Sequence, residues 1–219
     1  MTMLKRFGRK AAPAAWILFA AGPAVAAESG PYVGADLGEA LYPKGAYHWR
    51  VASGSVLFGN SLDTTDFAWS LRAGYRFSRY FGLEAGYVNL GGYSGPLTDR
   101  VNAAAGHGNI SFSAKGETLA ALGALPLGDW DLHLKAGVFF NDARLNVSGI
   151  DNATPFQTRE TLRNIHGLLG AGAGYDIDSH WHAQFDWTHY LNVGSKVDST
   201  GRINGPNINN LAMGISYRF

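Results

Sequence analysis

The chain has no cysteine among its 219 residues. That excludes disulfide staples, thiolate metal centres and any redox argument from thiols. Charge is also scarce. Asp, Glu, Lys and Arg make up 16% of the residues, against about 25% in ordinary soluble domains. Beyond residue 26 no apolar run reaches the roughly 20 residues that a membrane helix needs. Residues 1–26 hold four of the 18 basic residues, Lys5, Arg6, Arg9 and Lys10, and none of the 17 acidic ones, so the remainder carries a net charge of −3. A basic surface for nucleic acid is therefore not supported. What the sequence has in quantity is glycine, 29 residues, and aromatic side chains, 13%.

The first 26 residues have the order of a secretory signal peptide: a basic start, the apolar stretch AAPAAWILFAAGPAVA, and the small-residue site AVAAES. Cleavage is placed after Ala26, with Ala27 as the alternative. Pro13 and Pro23 flank a core too short for a membrane anchor. The expected organisation is a signal peptide at 1–26 and one domain at 27–219. An exported chain with little charge and no apolar helix needs another way to use its apolar groups.

That way is alternation. In TDFAWSLRAGYRF, Phe67, Trp69, Leu71, Ala73, Tyr75 and Phe77 take the odd positions, while Asp66, Ala68, Ser70, Arg72, Gly74 and Arg76 take the even ones. Period two is the signature of a strand with one apolar and one polar face. YVGADLGEAL, YFGLEAGYVNL, DWDLHLKAGVFF, LLGAGAGYDI, HWHAQFDWTHYL and the terminal LAMGISYRF repeat it. Parity is ambiguous only in SFSAKGETLAALGALPL, between Glu117 and Leu125. Eight strands are predicted, at 31–41, 65–77, 80–90, 110–126, 129–146, 161–176, 180–192 and 209–219. Connections near Ser78, Gly128 and Asp178 are short, and those at 42–64, 91–109, 147–160 and 193–208 are long and polar.

These features predict an all-β fold, an eight-stranded antiparallel transmembrane β-barrel with short periplasmic turns and long extracellular loops. A closed barrel is one of only two ways to cross lipid with every backbone group paired. A soluble lipocalin-like barrel is the alternative. It would crowd Phe67, Trp69, Tyr75, Trp181, Phe185 and Trp187 inside and turn Gly170, Gly172 and Gly174 outward. The glycine face suits a narrow interior better.

Three segments, GYRFSRYFGLEAGYVNLGGY (Gly74 to Tyr93), LHLKAGVFF (Leu132 to Phe140) and LAMGISYRF (Leu211 to Phe219), resemble the OmpA-like transmembrane domain family of bacterial outer-membrane proteins. The resemblance spans nearly all of residues 27–219, though not the loops. It implies that the terminal apolar stripe faces lipid and that Tyr217 and Phe219 form a signal read by the barrel-assembly machinery, with periplasmic chaperones acting during biogenesis. It also implies an interior Glu, here Glu84, in a polar network that plugs the barrel. Where the family has an Arg in the seventh strand, Gln184 stands here. The best-known member continues into a peptidoglycan-binding domain; this chain ends at Phe219, so cell-wall tethering is not expected.

Interior charges are the first candidate site. Arg72 and Glu84 point the same way on adjacent strands. A three-residue turn would place them directly opposite and a longer one diagonally. Lys135, Gln184 and Asp186 complete the predicted network, because a charge inside eight strands is costly unless paired. A gated ion path along these groups is the sharper reading. His180 and His182 share a face across Trp181, but two ligands without a third make no metal site. In THYLN, His189 invites comparison with lipid A deacylases, but Leu191 occupies the position of their serine. GAGAG at Gly170–Gly174 lacks the Lys-Ser/Thr ending of a phosphate loop. In the loops, YHWR (Tyr47 to Arg50) and the residues Arg50, Arg100, Arg159, Arg163 and Arg202 offer contacts for lipopolysaccharide or an extracellular ligand. The expectation is a non-enzymatic structural and surface-interaction protein of the outer membrane, without cofactor, metal or catalytic residue, whose partners are outer-membrane lipids and lipopolysaccharide. A small gated channel is the alternative and a lipid A-modifying enzyme the less favoured third.

Overall fold

The computed structural model describes residues 29–43, 47–50, 56–59, 64–99, 106–151, 153–198, 201–203 and 205–219. The expected cleavage site after Ala26 lies outside them. Eight long strands form the body: β1 (Gly30–Leu41), β2 (Thr65–Arg76), β3 (Phe81–Asp99), β4 (Gly106–Leu127), β5 (Trp130–Asp151), β6 (Thr154–Asp176), β7 (Trp181–Tyr190) and β8 (Ile208–Arg218). Each pairs antiparallel with its sequence neighbours. β1 also pairs with β8, from Tyr32 opposite Arg218 to Leu41 opposite Asn209, so the sheet closes on itself. No helix occurs among the described residues.

The short turns set the register. Residues 77–80 join β2 to β3, with the Phe77 and Ser78 N–H groups donating to the Phe81 carbonyl at 3.0 and 3.3 Å. This four-residue connection places Arg72 opposite Gly86 and Gly74 opposite Glu84, so Arg72 and Glu84 are diagonal rather than directly opposed. Gly128 and Asp129 join β4 to β5, with φ +72° at Gly128, the first central position where a type II′ hairpin favours glycine. In the third turn the Trp181 and His180 N–H groups both donate to Asp178 Oδ1 at 2.7 Å, holding that carboxyl below the usual carboxylate range.

The polarity is inverted relative to a soluble barrel. Large apolar side chains point outward on every strand; Leu134 and Met213 are 66% and 69% exposed. On β4 the outward set is Glu117, Leu119, Ala121, Gly123 and Leu125, which resolves the ambiguous parity, since Ala120 is buried. Near the short-turn end, rings cluster into a belt: Tyr75 with Phe77, Phe77 with Phe81, Trp130 with Tyr175, Trp181 with Tyr217, and Tyr217 with Phe219, their centroids 5.0–5.8 Å apart. Aromatic rings, apolar in body and polar at the rim, favour a membrane interface.

Two of the expected long loops are largely strand. β3 runs on to Asp99, β4 begins at Gly106, β5 ends at Asp151 and β6 begins at Thr154. Gly91, Gly92 and Pro96 signal a turn, but Gly91 (φ +62°) instead forms a bulge between Asn89 and Gly92 that adds one residue and lets the ladder continue. Leu97, Ile110 and Val147, with Leu145 and Phe156 against them, give the extension a core of its own. A strand of 23 residues is about 75 Å long. Even tilted, it outruns an apolar band about 25 Å tall. The other two expected loops contain short hairpins, Tyr47–Arg50 with Val56–Gly59 and Lys196–Asp198 with Gly201–Ile203.

The outward stripe makes a direct prediction. Met213→Arg places a charge on the lipid-facing wall of β8 and should destabilise the folded barrel by about 2–4 kcal/mol, read as a lower urea midpoint in lipid vesicles. Ser148→Arg, on the extension, should leave the midpoint unchanged.

Candidate functional site

The lumen of eight strands holds one layer of side chains from each wall, and here it is filled in two tiers. The lower tier is polar. Arg72 on β2 lies at its centre, donating from Nε to both Asp36 oxygens, at 3.2 and 3.0 Å, and from Nη1 to Glu84 Oε2 at 3.3 Å. Ser70 Oγ donates to Asp36 at 2.6 Å, and the Tyr32 hydroxyl donates to Glu84 at 2.9 Å. Lys135 Nζ lies 3.7 Å from Glu84 Oε1 and 3.3 Å from Asp186 Oδ1, bridging the two walls.

From Asp186 the network descends toward the short-turn end. His133 stands between two carboxylates, Nδ1 at 2.8 Å from Asp131 and Nε2 at 2.9 Å from Asp186; a ring protonated at both nitrogens donates to both. Gln184 Nε2 donates to the second Asp186 oxygen. Below lie His182, 2.6 Å from Asp176, and Arg76 and Arg218, paired with Asp131 and Asp176 at 3.8 and 2.9 Å. A vestibule of about 280 Å³ opens at this end, lined by Arg76, Arg79, Asp131, Asp176 and Arg218.

Glycines make the space. Gly170, Gly172 and Gly174 on β6 stand opposite Lys135, His133 and Asp131 on β5, and opposite Thr188, Asp186 and Gln184 on β7. A Cβ at Gly170 would lie 2.6 Å from Lys135 Cγ, and one at Gly172 would lie 2.5 Å from His133 Nε2 and 2.6 Å from Asp186 Oδ1.

The upper tier is apolar. Val88, Leu90, Tyr93, Phe112, Phe139, Leu168, Tyr190, Val193 and Ile208 pack with Tyr42, whose hydroxyl donates to the Leu90 carbonyl at 3.0 Å. Between the tiers a cavity of about 40 Å³ is bordered by Arg72, Glu84, Lys135, Asp186, Tyr190 and Asn210, and at that size it admits a few waters at most.

The five residues singled out from the sequence, Arg72, Glu84, Lys135, Gln184 and Asp186, thus lie in one contiguous group. Tyr32, Asp36, Asp131, His133 and His182 belong to it as well, and sequence reasoning assigned them to the inward face without naming them as members. Their common signal is a polar side chain on the non-lipid parity of a strand. His180 and His182 do not meet: His180 stacks on Tyr217 at 5.5 Å, while His182 is 1% exposed inside the barrel. His189 Nδ1 lies 2.8 Å from Asn209 Oδ1. Tyr217 sits in the aromatic belt, and the Phe219 N–H donates to the Pro31 carbonyl at 3.1 Å, tying the last residue to the first strand. Arg159 and Arg163 lie on the extension of β6. Arg100 lies outside the described residues, as do the side chains of Arg50 and Arg202.

The sequence model of the OmpA-like transmembrane domain matches residues 26–219. The chain belongs to the OmpA-like transmembrane domain family. It is thus an outer-membrane β-barrel, its short turns periplasmic and its extension extracellular. Among solved structures, Neisserial surface protein A is similar at 15% identity and a TM-score of 0.50, over 87% of this chain and 99% of that one. OprG from Pseudomonas aeruginosa is similar at 12% identity and a TM-score of 0.48, over 88% and 97%. No curated protein sequence matches the chain.

Two substitutions probe this OmpA-like interior. Arg72→Met leaves Asp36 buried without its cation and Glu84 with Lys135 alone, and should cost about 3–5 kcal/mol; Asp36→Asn added to it should recover part of the loss in a double-mutant cycle of urea unfolding. Gly172→Val forces a side chain between His133 and Asp186 and should cost about 1–3 kcal/mol from overpacking, whereas Gly123→Val, on the outer wall with open space about it, should be neutral in the same assay.

Proposed function

We propose that this barrel is a non-enzymatic structural and surface-interaction protein of the bacterial outer membrane, closed to ions. The observation that carries the reading is the two-tier filling of the lumen, which leaves about 40 Å³ between the ion-pair network and the apolar layer. A permeating ion must exchange its water for polar groups along its path. Phe139, Leu90 and Ile208 are fully buried above the network and provide none. The surface for interaction is then the β3–β6 extension, a paired sheet on which an extracellular ligand would dock.

In this reading residues 1–26 are the signal peptide, periplasmic chaperones carry the exported chain, and the barrel-assembly machinery reads the strand ending in Tyr217 and Phe219. The outward stripe of Leu211, Met213 and Ile215 leading to those rings supports that role. A small gated channel is the second reading, favoured by the charged groups that run from Asp36 to the vestibule; it requires the apolar tier to part. Lipid A modification has least support, since His189 is engaged by Asn209 and Leu191 stands where a serine nucleophile would.

Single-channel recording separates the first two. Refolded residues 27–219, verified as barrel by heat-modifiable gel migration, should leave a planar bilayer silent. Discrete small openings that change with Glu84→Ala would replace the plug reading by the channel.

A further inference from the structure

The outer wall carries a set of cations that the lumen does not use. Tyr87, Phe140 and Ile165 face outward at the extracellular margin of the apolar band. Beyond them the β4–β5–β6 register sets Lys115, Asp142 and Arg163 side by side, with Arg144 on the next outward row. Arg159 follows further out, donating from Nε to Asn146 Oδ1 at 2.8 Å. One carboxylate serves two guanidinium groups: Asp142 lies 3.2 Å from Arg163 and 3.7 Å from Arg144. Lys115 has no ion-pair partner among the described residues; Glu117 is a second acid on this face, and Asp66 lines the groove on the β3 side. Lys115, Arg144, Arg159 and Arg163 against Asp66, Glu117 and Asp142 leave the patch with a net charge of +1.

The wall is grooved on both sides of the Lys115–Asp142 pair. On the β3 side the bulge sets Gly92 opposite Ser113 and leaves about 590 Å³ over a floor that includes Gly92, Ser94, Ser111 and Ser113, with Lys115 and Arg144 beside it. On the β6 side about 530 Å³ is bounded by the row Tyr87, Glu117, Phe140 and Ile165 toward the membrane, and by Lys115 and Arg163 away from it.

We propose that this patch binds the phosphorylated sugar headgroup of an outer-leaflet glycolipid, the lipid A portion of lipopolysaccharide. The inference deepens the surface-interaction reading and rests on it. These cations point sideways rather than into the lumen, and they begin where the apolar band ends, so their immediate neighbours are lipids. The chemical complement is an amphiphile, with acyl chains along Tyr87, Phe140 and Ile165 and phosphates within reach of Lys115, Arg144 and Arg163. Arginine forks suit phosphate oxygens, and the serine floor offers hydroxyls to a sugar.

Two measurements separate failure of the proposal from failure of the reading beneath it. The native chain has no cysteine, so Ser148→Cys in intact cells should react with a membrane-impermeant maleimide; labelling only after lysis would overturn the surface reading itself. For the ligand, refolded barrels are placed in phosphatidylcholine nanodiscs containing diphosphoryl lipid A and extracted with detergent, and the retained lipid is measured by mass spectrometry. The triple variant Lys115→Gln, Arg144→Gln, Arg163→Gln should retain roughly ten-fold less than wild type, the size expected for three exposed charge contacts. Arg79→Gln, at the periplasmic end, should match wild type. Dephosphorylated lipid A on the wild-type barrel should fall to the level of the triple variant. If the triple variant fails to migrate as a folded barrel, Arg144→Gln alone should give a smaller loss in the same direction. Equal retention by wild type and variant would overturn the proposal. So would equal retention of phosphatidylglycerol by the wild-type barrel.

Discussion

Every backbone N–H and C=O within the hydrocarbon must find a partner inside the protein, because no water is there to supply one. The β1–β8 ladder meets that demand at the one seam where a meander of strands would otherwise leave two open edges. Once the ring is closed at eight strands, its bore is set at about the width that side chains can fill. The inside then has to be packed and the outside has to be greasy. The Phe219 N–H bonded to the Pro31 carbonyl continues the seam to the last residue, so the terminal ring is held in the aromatic belt by the same closure.

The narrow bore explains the glycines. Gly170, Gly172 and Gly174 have ordinary backbone angles; what they supply is volume, each facing a polar side chain on either neighbouring strand. The same complement recurs across the barrel, where a Cβ at Gly34 would lie 2.9 Å from the Arg72 guanidinium carbon. Period-two glycines on one strand are the counterpart of period-two charges on the next. Charge in this setting is stabilising only as a closed set. Burying one carboxylate costs several kcal/mol, and the attraction of a cation offsets that only when the remaining lone pairs are also bonded. Asp36, Glu84 and Asp186 each have two or more donors, which is the condition for keeping them.

Much of this was legible in the sequence. Strand parity assigned the lipid face correctly wherever large apolar residues alternate with small or polar ones, as from Phe67 to Phe77. It failed on β4 near Ala120, where both parities carry alanine or leucine and neither looks polar. It also failed where turn formers cluster. Gly91, Gly92 and Pro96 read locally as a loop, yet one glycine-centred bulge absorbs the irregularity and the pairing resumes. The interior network was visible as a parity but not as a set of contacts. Arg72 and Glu84 are twelve residues apart and separated by one turn, so their meeting follows from turn length. Arg72 and Asp36, or His133 and Asp186, meet only because of registers fixed by several turns together.

The extension beyond the membrane changes what the extracellular end can be. A free loop must be ordered when it binds, and that ordering subtracts from affinity. β3 to β6 continue as a paired sheet over Leu97, Ile110 and Val147, so their outward rows are held in register before any ligand arrives. The extension springs from four neighbouring strands, of which β4, β5 and β6 bear the outward cations, while β1, β2, β7 and β8 end lower. One side of the molecule therefore stands tall, with a lipid-level row of cations at its foot and an exposed sheet above. Asymmetry of this kind follows from hairpin lengths alone, and it presents one ordered face in a chain whose transmembrane wall is otherwise alike all round.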